Sequence, residues 1–178
     1  MKFKKQALVI TILIHTLFII VVYVFQAVIF PYMRLSGLVP LLLPLASTGI
    51  ALYEGQYTGG IAGLFAGVLC DISFNQPVGI FTIVLTVTGL LVGAFADAYI
   101  LPGFVTYFIS CAVVLVFSTI VQMFPLIFLE MYGIPFQVLI PTAIQQLIYS
   151  LVFVIPLWFF VRALGKRTER TTSPGRVL

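Results

Sequence analysis

Apolar residues in this chain run in long continuous blocks, without the strict alternation of a barrel strand. A block of about 20 apolar residues is what a helix needs to cross a bilayer. Six blocks are separable. The first runs from Ala7 to about Phe30, and the second, Leu38 to Tyr53, is short and interrupted by Pro40 and Pro44. The third extends from Thr58 to about Phe74 and the fourth from Gly79 to Asp97. The fifth stays apolar from Leu101 to Leu129, where Pro125 predicts a bend because proline removes a rung of the helical ladder. The sixth covers Gln137 to Val161, with Pro141 in its first turn and Pro156 near its last. The expected class is an all-α integral membrane protein with six transmembrane helices. Blocks two and three are short enough to form a re-entrant hairpin instead, which leaves four full spans and the same parity.

Composition supports a lipid solvent. Of 178 residues 62% are hydrophobic and 8% charged, against about a quarter charged in a soluble domain. The placement of charge adds orientation. Lys2, Lys4 and Lys5 open the chain, Arg162, Lys166, Arg167, Arg170 and Arg176 close it, and only Arg34 lies between. With an even number of spans, the positive-inside rule puts both termini in the cytoplasm. Arg34, Asp71 and Glu130 then fall at outer ends of helices, and Glu54 and Asp97 at inner ends. Basic ends that border lipid point to anionic headgroups as partners and away from nucleic acid. The start "KFKK" imitates a secretory signal, but the apolar run after it is too long and no A-x-A site follows, so it reads as a retained span. Residues 1–165 read as one six-helix membrane domain, and 166–178 as a basic, disordered cytoplasmic tail. The two cysteines, Cys70 and Cys111, are expected at different depths and unbridged.

Within this plan one pattern stands out. "GLFAGVLCD", Gly63 to Asp71, returns as "GLLVGAFAD", Gly89 to Asp97. Gly59, Gly63, Gly67 and Asp71 are spaced by four, so at about 100° per residue they form one slanting stripe that lets another backbone approach closely. Ala62 and Ala66 widen that smooth face. Thr82, Thr86, Gly89, Gly93 and Asp97 repeat the device on the next helix. The two helices run antiparallel, so the aspartates lie at opposite ends and cannot share a substrate as a carboxylate pair. A carboxylate at a helix C-terminus opposes the macrodipole and needs a partner or a place beyond the last turn. Arg34 is the candidate ion-pair partner of Asp71, and the basic termini are available to Asp97. Each aspartate also reads as a solvated carboxylate or turn cap. Chance similarity in a glycine- and leucine-rich chain is the plain alternative for the repeat.

Other polar residues carry two readings each. His15 is either a proton relay or substrate ligand, or a neutral imidazole bonded to a neighbouring helix. Gln145, Gln146, Tyr149 and Ser150 in the sixth block, with Ser118, Thr119 and Gln122 in the fifth, either line a solute pocket or bond helix to helix. No P-loop, H-E-x-x-H or C-x-x-C occurs, and one histidine cannot build a metal cluster. No catalytic residue, cofactor or metal site is therefore expected.

From Gly63 the order Gly-x3-Gly-x3-Asp, then seven residues, then Gly79, in "GLFAGVLCDISFNQPVG", resembles the MreD family of bacterial cell-shape proteins. The motif covers Gly63 to Gly79, and the hydropathy plan extends the likeness over nearly the whole chain. Pro40 is followed by Leu41, where related sequences often carry a polar residue. The resemblance implies a non-enzymatic, multi-pass protein of the bacterial inner membrane with an S-component-like helical bundle. It implies partners as well: an MreC-like single-span protein, a RodA-like glycosyltransferase with its transpeptidase, and MreB filaments across the membrane. Gly63, Gly67 and Asp71 map onto the family motif, and Gly79 becomes its closing turn residue, where glycine permits positive φ. The alternative is a vitamin-binding S component of an energy-coupling-factor transporter. Such components usually carry small residues every fourth position in the first span, where this chain reads "ALVITILIHTLFIIVVYVFQAVIF".

Overall fold

The computed structural model describes residues 2–30, 39–74, 79–99, 103–128 and 136–172. The secondary structure in them is helical throughout. Helix α1 is Lys2–Val24, continued by a π-helical turn at Phe25–Ile29. Then follow α2 Leu42–Glu54, α3 Gln56–Phe74, α4 Ile80–Tyr99, α5 Phe104–Phe128, α6 Phe136–Val152 and α7 Val154–Thr172. Among the described residues three stretches are long and apolar enough to cross a membrane alone: Thr11–Ile29, Ile80–Ala98 and Phe104–Met123. The pair Ile140–Val152 and Val154–Gly165, bent by 44°, makes a fourth when taken as one span. Against six apolar blocks, the described residues thus hold three to four candidate spans. The difference lies in blocks two and three. Helix α2 has 13 residues, a rise of about 20 Å against about 30 Å of hydrocarbon. Helix α3 is diluted by its glycines and by Gln56, Thr58 and Asp71.

Short as it is, α2 is the centre of the molecule. Every residue from Leu41 to Leu52 is buried, and the helix packs against α1, α3, α4, α5 and α7. A helix apolar on all sides belongs inside a bundle. Small residues let its neighbours close in: a Cβ on Gly49 would lie 2.7 Å from Val161 and 3.1 Å from the Tyr107 ring. Ser47 and Thr48 turn their hydroxyls back to Pro44 O at 3.0 and 2.7 Å, so neither leaves a polar group facing the core. Tyr107 donates its phenolic hydrogen to Leu45 O at 3.2 Å.

A buried helix N-terminus must satisfy N–H groups that have no partner within the helix. Here each is accounted for. The Leu41 N–H donates to Ser150 Oγ at 2.9 Å, and those of Leu42 and Leu43 donate to Gln26 Oε1 at 2.8 and 2.9 Å. Pro44 has no N–H to satisfy. Just before the helix, Gln146 Nε2 donates to Val39 O at 3.0 Å. The π-turn that continues α1 contains Gln26, which is fully buried. Gln26→Leu is expected to remove two hydrogen bonds worth about 1 kcal/mol each. The variant's melting midpoint in detergent should fall by several degrees, and an unchanged midpoint would show that α2 needs no outside cap.

The break between α6 and α7 has a local cause. Pro156 cannot supply the N–H that would bond Val152 O, and the Phe153 N–H instead donates to Ser150 O at 3.1 Å in a tighter turn. Helix α5, by contrast, continues through Pro125 to Phe128. The polar segment from residue 166, expected to be disordered, starts as helix, since α7 runs to Thr172. Extending an existing helix fixes one residue per hydrogen bond, so a charged sequence follows a nucleated helix at little cost.

Candidate functional site

The twin glycine–aspartate motifs form one antiparallel hairpin, α3 against α4. Gly63 sits so close to α4 that a Cβ there would collide with the Leu85 carbonyl, and one on Gly67 would lie 2.7 Å from Phe81 O. Gly59 and Gly89 face each other: a Cβ on Gly59 would be 2.8 Å from Gly89 O. At the far end a Cβ on Gly93 would be 2.5 Å from Gln56 Cα. Each four-residue step along α3 is matched by a step back along α4, so the backbones stay close throughout. All five glycines are buried. Among the described residues, their stripe is filled from within the chain. Its neighbours Ala62, Ala66 and Cys70 turn into the common core, while Ile61, Leu64, Phe65, Val68 and Ile72 form the exposed side of α3.

The aspartates close the hairpin at both ends. Asp71, 3% exposed, lies in the last turn of α3, and its carboxylate reaches the first turn of α4. Oδ2 accepts from Gly79 N at 2.9 Å, Thr82 N at 3.2 Å and Thr82 Oγ1 at 2.6 Å, and Oδ1 accepts from Phe81 N at 2.9 Å. Asp97, in the last turn of α4 and exposed, accepts from Gln56 N at 3.0 Å in the first turn of α3. Both helices start behind a glycine of positive φ, Gly55 at 86° and Gly79 at 107°. A glycine has no side chain with which to cap its own helix. Each helix therefore takes its cap from the other's C-terminal carboxylate. At Gly55 the fit is close, since a Cβ would lie 2.7 Å from Asp97 Oδ1.

This arrangement resolves the unfavourable dipole of a carboxylate at its own helix end. In an antiparallel hairpin that end adjoins the next helix's N-terminus, where negative charge is favourable. Backbone N–H groups and the Thr82 hydroxyl serve Asp71. The expected Arg34–Asp71 ion pair falls on Arg34, which lies outside the described residues. Asp71 and Asp97 stand at opposite ends of the hairpin, as the antiparallel reading requires.

Sequence reasoning missed Gly55, Thr82 as a partner of Asp71, and Gln26. The first carried a visible signal, a glycine directly after an apolar helix at "LYEG", where C-terminal glycines concentrate. The bonds of Thr82 and Gln26 run between helices and carried none. His15 is buried, with Nδ1 2.8 Å from Thr11 O and Nε2 3.6 Å from Glu54 Oε1 of α2. Since Nδ1 must donate to the carbonyl, Nε2 attracts the carboxylate only when it too carries a proton. Of the polar groups in α5 and α6, Ser150 and Thr119 hydroxyls bond their own helices at Gln146 O and Leu115 O, at 2.7 and 2.8 Å. Ser118 is fully buried, Tyr149 packs edge-to-face with Phe30 and Phe153, and Gln145 is exposed. Cys70 and Cys111 are buried and free.

The carboxylate of Asp71 is taken up by the donors that surround it. Among the described residues no three His, Cys, Asp or Glu side chains gather as metal ligands. Fold and site together define a helical, multi-pass membrane protein in which the buried side chains of Gln26, Asp71, Gln146 and Ser150 hold one segment to another. The family model of the rod shape-determining protein MreD matches residues 5–168, and the chain belongs to that family. It is accordingly a non-enzymatic, shape-determining bacterial membrane protein. No curated protein and no solved structure matches it.

Proposed function

We propose that this chain is a membrane scaffold of the cell-wall elongation machinery. It binds an MreC-like single-span protein and helps couple it to a RodA-like glycosyltransferase and its transpeptidase, with MreB filaments engaged from the cytoplasm. The family match over residues 5–168 carries this reading. The architecture supports it: a core helix sheathed by its neighbours and a hairpin locked at both ends make a stiff intramembrane body. In this reading the protein sits in the inner membrane, both termini cytoplasmic, and the α2–α3 pair completes an S-component-like plan of six membrane segments. The glycine stripe serves partner binding indirectly, by holding the hairpin rigid.

Affinity purification of the tagged protein from native membranes in mild detergent, with mass spectrometry of what accompanies it, tests this. MreC-like and RodA-like proteins are the expected companions. Recovery instead of a transmembrane coupling subunit with paired ATPases would replace the scaffold by a solute carrier. Against that outcome, Gln146 and Ser150 are engaged in holding the segment before α2, and α1 presents large side chains such as Leu13, Leu17 and Ile20 on its exposed side.

A further inference from the structure

Two polar side chains tie α1 to α2, one at each end of α2. Gln26 accepts the Leu42 and Leu43 N–H groups at its start, and His15 stands 3.6 Å from the carboxylate of Glu54, its last residue. An equal number of positions separates His15 from Gln26 on α1 and Leu43 from Glu54 on α2, as two antiparallel helices in register require. Between residues 11 and 30 the buried positions are His15, Ile19, Val22, Gln26 and Phe30. His15 is therefore the first side chain of that stretch to enter the bundle.

Glu54 shares the difficulty of Asp71 and Asp97, a carboxylate at the end of its own helix. The helix N-terminus beside it, at Gln56, is occupied by Asp97, and α1 brings an imidazole instead. The imidazole Nδ1 donates to Thr11 O at 2.8 Å. A carbonyl only accepts, so in a neutral ring Nε2 turns a lone pair toward the carboxylate. The two side chains are 6% and 11% exposed, and a buried carboxylate that faces a lone pair is an uncompensated charge. One proton, on Nε2 or on the carboxylate, removes the conflict.

Helices α2, α3 and α7 pack on α1, and α4 and α5 pack on α2. Their ionisable groups are Tyr53 next to Glu54, the exposed Tyr57 of α3, Asp97 of α4 on the Gln56 N–H, Tyr107 of α5 on Leu45 O, and Arg162 of α7 over the Trp158 ring. Lys2, Lys4 and Lys5 precede His15 on α1, and Lys166, Arg167, Glu169 and Arg170 follow on α7. The side chain that ordinarily changes charge between about pH 5 and 8 is histidine, and the chain has one.

We propose that His15 and Glu54 form a proton-binding latch, in which the early part of α1 docks on α2 with one proton held by the pair. Loss of that proton sets the imidazole lone pair against Glu54 and releases this part of α1, while Gln26 keeps the other end pinned. Docked α1 holds a proton that released α1 gives up, so docking weakens as pH rises. A latch needs no path of further proton carriers, which separates it from a relay.

Amide exchange of the full chain in detergent, followed from about pH 6 to about pH 8 and corrected for the intrinsic rate, tests the latch. Protection of the amides around His15 should fall by up to about tenfold per pH unit, the slope for a single proton. The Leu42 and Leu43 amides, capped by Gln26, should show no such slope. In Glu54→Gln the new amide can donate to Nε2 of the neutral ring, so α1 should stay docked and its pH dependence disappear. His15→Gln removes the imidazole and should abolish the dependence as well. Protection around His15 that ignores pH in the unmutated protein overturns the proposal, as does a pH dependence that persists in either variant.

Discussion

Replacing Gly67 with leucine is expected to abolish the folded α3–α4 hairpin. A Cβ at this position would lie 2.7 Å from the Phe81 carbonyl oxygen and 2.8 Å from Thr82 N. These are backbone atoms of a helix and cannot rotate aside as a side chain would. The helices must separate, and the same shift loosens Gly63 against Leu85, Gly59 against Gly89, and Asp71 against the start of α4. Overpacking that neighbouring side chains can absorb costs about 1–3 kcal/mol. This change should exceed that range, a large share of the roughly 5–15 kcal/mol that holds a typical native protein together. Membrane abundance and size-exclusion profile of the variant are the readouts, with Gly67→Ala expected to fall in between. A monodisperse Gly67→Leu protein with the wild-type melting midpoint would show that the helices are not in close contact.

Asp71→Asn is expected to destabilise by about 3 kcal/mol, because charge-assisted hydrogen bonds contribute about 1.5–3 kcal/mol each and buried donors left unpaired add a penalty. Asparagine retains one acceptor oxygen and turns an amino group toward N–H donors that need acceptors. Three backbone N–H groups and the Thr82 hydroxyl depend on this one carboxylate. Asp97→Asn should stay within about 1 kcal/mol, the usual worth of an N-terminal cap. The Asp97 side chain accepts from Gln56 N at 3.0 Å where the site is open to solvent, and asparagine can keep that bond. In a rod-shape complementation assay the first variant should lose function and the second retain it. Equal outcomes for the two would separate the caps from the protein's activity.

Much of this hairpin could be read in the sequence. The four-residue glycine spacing announced close helix contact, and the antiparallel order placed Asp71 and Asp97 at opposite ends. Pro156, inside the sixth apolar block, is the residue whose missing N–H lets α6 give way to α7. What stayed hidden depends on partners far along the chain. Gln26 bonds residues 16 and 17 positions away, and Ser150 bonds Leu41 across 109 positions. Periodicity reports only which side of its own helix a residue occupies. The same limit applies to α2: its apolar surface is equally suited to lipid and to five enclosing helices, and periodicity alone does not tell the two apart. Charge is visible in a sequence, whereas a helix N-terminus beside a carboxylate emerges only when the hairpin closes.

Reciprocal capping holds this hairpin, and hydrogen exchange at the capped amides tests it most directly. In the purified full-length protein, the Gly79, Phe81 and Thr82 amides should exchange slowly, and the exposed Gln56 amide should show a smaller protection, about fivefold. Asp71→Asn should release the α4 amides while Gln56 keeps its protection, and Asp97→Ala should release Gln56 alone. Rapid exchange of these amides in the unmutated protein, or exchange unaltered by either substitution, would contradict the capped hairpin.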